Sequence, residues 1–352
     1  MRALLLALAL LVVATGCGGG DGGETAAEAR TTTPGTTTGP QGEFEVAGLD
    51  TPWEIVFVDE TTMLVTERPG RVRVIEDGRL REQPAATIDV EAAGEGGLLG
   101  LAVRDGFAYV YYTAADGNRV SRFALGDDLS FGREQVLLDG IPAASVHDGG
   151  RIAFGPDGRL YVATGDAGDG EQAADRGSLA GKLLRLPPGG GNAEVWSWGH
   201  RNPQGLAWAD DGTLYASEHG PTGEFGLCCH DEVNVIERDG FYGWPFRTGR
   251  EPTGAGDPPA EPRGPLVESG GDTWAPAGAA WFDGSLYVAT LRGERLLRIS
   301  PDGQVTTALD GLGRLRVATV GPDGCLYVAT SNRDGRGDPR EGDDRIVRLC
   351  DR

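Results

Sequence analysis

The chain has 352 residues, a formal net charge of −21 and a sequence pI near 4.6, which excludes nucleic acid and electrostatic docking on anionic lipid and favours a small neutral or cationic partner. Fifty-eight glycines and 21 prolines against 10 phenylalanines and 8 tyrosines exclude a fold of long helices and favour short strands joined by many turns. Lys182 is the single lysine, so basic chemistry elsewhere falls to arginine.

The chain opens with MRALLLALALLVVATGC, where Arg2 precedes an apolar run from Ala3 to Ala14 that is too short to span a bilayer and reads as an export signal. Small residues directly ahead of Cys17 resemble the bacterial lipoprotein signal, so residues 1–16 are expected to be removed and Cys17 to carry lipid on the outer face of the cell membrane. An ordinary signal peptide cut near Gly16 would instead leave Cys17 as a thiol. Residues 17–42 contain almost no large apolar side chain, cannot offset the entropy of ordering, and read as a flexible tether.

From residue 43 onward one pattern recurs six times: VFVDETTMLVTE (56–67), LAVRDGFAYVYYT (101–113), IAFGPDGRLYVATGD (152–166), LAWADDGTLYASE (206–218), AAWFDGSLYVAT (279–290) and ATVGPDGCLYVAT (318–330). Each copy is an apolar strand, a tight Asp/Gly turn and a strand of period two, which is a hairpin by pattern and turn chemistry. Segments such as GRVRVIED, NRVSRFAL, GKLLRL, DEVNVIE and ERLLRIS supply further strands between copies. The spacing matches four-stranded blades and predicts an all-β, six-bladed β-propeller over 43–352; a β-sandwich would need no such fixed repeat.

Polar residues concentrate in the loops between these hairpins. Glu95 in GEGGLLG is either a solvated turn carboxylate or part of a site. His147, ahead of Gly149 and Gly150, stands where backbone approaches closely and suits a general base, with Asp166 at the end of the next strand to orient it. Arg201 and Asn202 in GHRNPQG offer several donors to ligand oxygens, or brace a turn. Glu218, His219, Asp231, Glu232 and Tyr242 form an oxygen-rich set suited to a hard cation, to which Gly220 and Pro221 add carbonyls; zinc lacks its usual ligand spacing here. Arg292 and Gly293 in LRG, then Arg314 and Arg316 in RLR, lie beside the last two blades. Arg314 and Arg316 are two apart and share a face. Three arginines aimed at one channel would call for an anion such as a polycarboxylate cofactor.

With Cys17 set aside, a hairpin near Gly337 would place Cys325 opposite Cys350, and a disulfide is expected there. Cys228 and Cys229 form either a vicinal disulfide or two thiols; with no other cysteine left, a thiolate metal site is disfavoured.

The ordered set GEGGLLG, HDGGRIAFGPDGRLYVATGD, GHRNPQG, EHGP…DEVN, YGWP, LRG and RLR resembles the soluble quinoprotein sugar dehydrogenases, the glucose/sorbosone dehydrogenase family, from about Pro52 to the C-terminus. That resemblance implies a propeller holding pyrroloquinoline quinone (PQQ) and Ca2+ that oxidises aldose sugars at the anomeric carbon to lactones and passes electrons to a quinone, a cytochrome or a dye. It implies His147 as the base steadied by Asp166, Arg201 and Asn202 at the quinone, Arg292, Arg314 and Arg316 on the cofactor carboxylates, and Gly220, Pro221, Glu232 and Tyr242 as calcium ligands. Glu95 departs from the glutamine of well-known members, Arg292 from a lysine and Val317 from an aspartate, and EFGLCCH is inserted ahead of Asp231 and Glu232. Two other functions compete: a non-catalytic cell-surface propeller of the same descent, and a calcium-dependent propeller lactonase, which would need acidic ligands from several blades.

Overall fold

The computed structural model describes residues 45–350; the expected signal, the tether and Cys17 lie outside them. Six sheets, antiparallel but for the short strand Gly240–Phe241 that lies parallel to Glu194–Trp198 on the third, follow one another along the chain, each built on one copy of the hairpin repeat, and together they form the expected six-bladed β-propeller. The innermost strands are Pro52–Phe57, Leu98–Arg104, Ile152–Phe154, Pro203–Trp208, Pro276–Phe282 and Leu315–Val320. All six contribute to the wall of one axial cavity of about 260 Å³. The ring closes through the short strand Glu45–Ala47, which pairs with Arg345–Leu349 (Ala47 opposite Arg345) and so completes the sixth blade with the other end of the chain. Closure of this kind leaves no open edge between first and last blades.

The repeat owes its form to local hydrogen bonds as much as to its apolar alternation. In the two GPDG turns, Asp157 Oδ1 accepts from the Arg159 N–H (3.0 Å) and Asp323 Oδ1 from the Cys325 N–H (3.1 Å). The tyrosine of each following Leu-Tyr-Val-Ala-Thr then donates to the other oxygen of the same aspartate, at 3.1 and 3.0 Å. At the far end the threonine hydroxyl accepts the first N–H of the third strand: Thr164 from Lys182, Thr290 from Arg295 and Thr330 from Arg345. Between blades the sheets bury mixed clusters, among them Trp53, Leu99, Tyr109, Ile152 and Val162, drawn from three successive blades.

Leu326 pairs with Leu349, which sets Cys325 against Cys350, and the expected disulfide is present. Cys228 and Cys229 are also joined, deciding the alternative that the sequence left open. No helix among the described residues is long and apolar enough to cross a membrane.

Candidate active site

The base proposed from sequence sits where two backbones touch. His147 has φ +60°, and a Cβ at Gly165 would lie 1.8 Å from the His147 carbonyl oxygen, while one at Gly149 would lie 2.5 Å from the Gly165 nitrogen. Only glycine at 149 and 165 lets the His147 loop press onto the end of the next strand. That contact delivers the imidazole to Asp166: Nδ1 donates to Oδ1 at 2.6 Å. Asp166 is itself held by Gly168 N–H (2.8 Å) and by the Trp244 indole N–H on its other oxygen (2.7 Å). Nδ1 therefore carries the proton and Nε2 is left as the acceptor, facing a cleft of about 620 Å³.

One wall of the cleft is the segment after Asp166, folded into a single-turn helix, Gly170–Ala174, whose N-cap is Asp169. The lone lysine ties it down: the buried Lys182 ammonium donates to the carbonyls of Gln172 (2.9 Å), Ala173 (3.0 Å) and Ala180 (2.5 Å), and burial lowers its pKa to about 8. The opposite wall is Trp244, Pro245 and Phe246, with Glu224 and Phe225 at the lip.

Arg201 joins the cleft to the ring centre. Its backbone N–H donates to Glu218, and Nε (3.1 Å) and Nη2 both reach Glu224 Oε1, which lies 3.9 Å from His147 Nε2. Asn202, fully buried, accepts from the Gly149 N–H at 3.1 Å and reaches Glu95 at 3.4 Å. Glu95 also takes the His147 N–H (2.9 Å) and Arg336 Nη1 (2.9 Å). Burial alone would raise its carboxyl, but the neighbouring His219 ring, the His147 N–H and Arg336 outweigh that and hold it down at about 2.

Beside Glu95 a second cavity is bounded by Trp53, Gln204, His219, the arginines Arg68, Arg316 and Arg336, and the carboxylate of Asp334. The Arg316 guanidinium is buried and lies 5.6 Å from the Trp53 ring centre; Nη1 donates to Gln204 Oε1, while Nε has no hydrogen-bond partner. Burial brings its pKa down to about 9, so the cation persists at neutral pH without a carboxylate bonded to it. His219 Nε2, facing the same cavity, is also unpartnered, and burial keeps that ring's pKa well below its ordinary value. A buried cation with an orphaned N–H is costly unless an anion reaches it. With three arginines against the two carboxylates of Glu95 and Asp334 on its wall, the cavity keeps a net positive charge and fits an anionic group.

On the far side of Arg201 lies the reverse arrangement. Glu218 and Glu232 share a buried pocket with Gly220, and burial together with the charge of Glu218 raises the Glu232 carboxyl. Two buried carboxylates facing one pocket, the charge of one raising the pKa of the other, fit a cation between them.

A family model described as Glucose / Sorbosone dehydrogenase matches residues 49–346. The chain belongs to the glucose/sorbosone dehydrogenase family. It is 31% identical over 341 residues to aldose sugar dehydrogenase YliI of Escherichia coli, spanning 82% of this chain and 89% of that protein. Among solved structures it is similar to the PQQ-bound aldose sugar dehydrogenase of Streptomyces coelicolor, with 37% identity, a TM-score of 0.78 and coverage of 86% and 95% of the two chains. A glucose dehydrogenase-type oxidoreductase of Thermus thermophilus gives 48% identity and a TM-score of 0.80 over 87% of this chain and 98% of that one.

Within this family frame the structure redistributes the expected roles. The three late arginines do not converge as expected. Arg292 is exposed, while Gly293 packs beneath the Trp274 backbone, its N–H on the Trp274 carbonyl at 2.9 Å. Arg314 is buried but already neutralised by Asp334, through Nε (2.9 Å) and Nη2 (2.7 Å). Of the three, only Arg316 faces the cavity without a bonded acid; Arg68, which also lines it, is held on the Gly94 and Gly96 carbonyls. The physical reason is register: Arg316 lies within the innermost strand, Arg314 just before it and Arg292 in a loop past its strand end. Pro221 does not line the Glu218–Glu232 pocket; its carbonyl accepts the Cys229 N–H at 2.8 Å. The Tyr242 ring lines the pocket and stacks on His200, but its hydroxyl is spent on the Val235 carbonyl and the Glu237 N–H, so only its own carbonyl remains as a ligand atom.

Sequence reasoning missed Gln204, Glu224, Trp244, Asp334 and Arg336. Two of these, Asp334 and Arg336, answer two departures from the family pattern. Asp334 supplies the carboxylate for Arg314 that Val317 cannot, and Arg336 neutralises Glu95. Their signal was the charged run RDGRGDPR, read only as a hairpin loop.

Proposed function

We propose that this chain is a PQQ-dependent, Ca2+-requiring dehydrogenase that oxidises aldoses at the anomeric carbon to lactones. The observation that carries the proposal is the buried guanidinium of Arg316, bonded to no acid, in a cavity whose Glu95 also takes the N–H of His147, the partner of Asp166. Arg316 would hold a carboxylate of the cofactor, and Arg201 and Asn202 its quinone edge. PQQ, when bound, supplies an acceptor for the hydride that leaves the anomeric carbon.

The protein's own part is proton handling and orientation. His147 Nε2 accepts the proton of the anomeric hydroxyl, since Asp166 fixes the tautomer that leaves this nitrogen free and stabilises the imidazolium that forms. Trp244 and Phe246 give the cleft an apolar wall for the sugar face, and Trp244 also holds Asp166 in place. Glu218, Glu232 and the carbonyls of Gly220 and Tyr242 would hold calcium, whose charge the paired acids require. Export, with lipid on Cys17, is part of the proposal and rests on the N-terminal sequence alone; metabolic labelling with a fatty acid, lost in Cys17→Ser, checks it. The electron acceptor would be a quinone or a cytochrome.

The test is dye reduction by the purified chain over a panel of aldoses, with and without PQQ and Ca2+. Turnover is expected only with both, and His147→Ala should bind PQQ yet turn over poorly. Cofactor-independent turnover, or none with any aldose, would leave a hydrolase or a binding module.

A further inference from the structure

Glu224 stands in the reaction space without a role in the chemistry above. It belongs to the segment that departs from the family pattern, and its Oε1 lies 3.9 Å from the free nitrogen of His147. Its direction is fixed. Oε1 accepts two N–H groups of Arg201, and Oε2 accepts the Thr222 N–H at 2.6 Å. The loop beneath is closed by the Cys228–Cys229 disulfide, the Thr222–Cys228 bridge and the Cys229 N–H on Pro221. Phe225 extends from it onto the edge of Trp244, ring centres 5.8 Å apart.

We propose that Glu224 is a specificity-determining residue that reads the substituent on the carbon next to the anomeric carbon, favouring a protonated amine over a hydroxyl, and a hydroxyl over hydrogen. The inference rests on His147 being the base. A hydroxyl donating to Nε2 must come to about 2.8 Å from it. Vicinal heteroatoms of a pyranose are about one hydrogen-bond length apart. The neighbouring substituent therefore comes within reach of the Glu224 carboxylate, whose nearer oxygen, Oε1, stands 3.9 Å from the same nitrogen. Two N–H donors fill Oε1 and one sits on Oε2, so the lone pair open to a substrate donor is on Oε2.

The rest of the cleft agrees in sign. Asp166, Asp169 and Glu171 line it with Glu224, four acids against the single guanidinium of Arg201, which is bonded to Glu224 behind the wall. Asp169 is bonded only to uncharged donors, the Glu171 N–H and Gln172 Nε2, and has no cation paired with it. A cationic sugar is attracted on approach, and a carboxylate or phosphate on the sugar is disfavoured.

The test compares kcat/KM for glucosamine, glucose and 2-deoxyglucose in enzyme loaded with PQQ and Ca2+, at low ionic strength and below the amine pKa. A charge-assisted hydrogen bond is about twice as strong as a neutral one, so Glu224→Gln should lower the glucosamine-to-glucose ratio about tenfold. Glu224→Ala should also lower the glucose-to-2-deoxyglucose ratio. Loosening of Arg201 would slow all three sugars together and leave both ratios alone. Quenching of tryptophan fluorescence by glucosamine should likewise weaken in Glu224→Gln, a readout that needs no turnover. Should the variants not fold, the wild-type ratio in 1 M KCl substitutes, and it should fall. Ratios indifferent to both substitution and salt would overturn the inference and leave Glu224 as a brace for Arg201. Absence of turnover by wild type with every aldose would instead overturn the function itself, and this inference with it.

Discussion

Replacing Arg316 by methionine separates stability from cofactor binding in a way that no merely structural arginine would. Burial lowers the pKa of Arg316 from 12.5 to about 9, which at 1.36 kcal/mol per pH unit sets an upper bound of about 4–5 kcal/mol on the cost of keeping the cation there without an anion. Methionine removes that cost. It also removes the donor to Gln204 Oε1, worth about 1–2 kcal/mol, and the contact over the Trp53 ring, worth about 0.5–2 kcal/mol. The balance is a gain of up to about 2 kcal/mol for the cofactor-free chain, which at about 2 cal/mol/K of unfolding entropy per residue is a rise in Tm of about 3 °C for a domain of this size. Adding PQQ at 100 times its Kd should stabilise the wild type by about 2.7 kcal/mol and Arg316→Met by far less. Differential scanning fluorimetry with and without PQQ reads both numbers. A variant that melts earlier than wild type and keeps the full PQQ-induced shift would refute the assignment of Arg316 as the unneutralised anion anchor.

Three further outcomes are expected. Asp166→Asn cannot satisfy the three N–H donors now on its carboxylate, and an amide turned toward His147 would force the wrong tautomer, so kcat should fall about 10²–10⁴-fold; a wild-type kcat would contradict the role given to His147. Asp148 has its carboxyl raised to about 6 by burial, against the donors Asn118 and Ala144, so the folded chain holds that proton more tightly than the unfolded one and loses stability as pH climbs from about 4 through 6. Asp148→Asn keeps both accepted bonds and should stabilise the protein by up to about 3 kcal/mol at pH 7–8 but not at pH 4, in denaturant titrations at both values. Chelation with EGTA should lower the Tm and added Ca2+ restore it; in Glu232→Gln the Ca2+-induced rise should shrink or vanish, and an undiminished rise would place the ion elsewhere.

How much was legible in the sequence depended on whether the interaction was local. The hairpin repeat, its Asp/Gly turns and the Cys325–Cys350 pairing are governed by neighbours within a few dozen residues, and the structure carries them as expected. His147 and Asp166 were legible for the same reason: one hairpin, with glycines at both contact points, brings them together. Arg292, Arg314 and Arg316 were not separable by sequence, because their difference lies in what reaches them across the ring. Asp334 comes to Arg314 from 20 residues away, and Gln204 to Arg316 from 112. The Glu95–Arg336 pair spans 241 residues, farther still.

The sequence by itself determined the architecture, since a hairpin of fixed pattern repeated six times can bury its apolar faces only against copies of itself arranged around an axis. It also determined the family, through motifs that keep their order along the chain. Tertiary structure alone decided which charges are spent and which remain available. Closing the ring brings together loops from blades far apart in the chain, and only there do Asp334, Arg336 and Glu224 claim their arginine or glutamate partners and leave Arg316 without one.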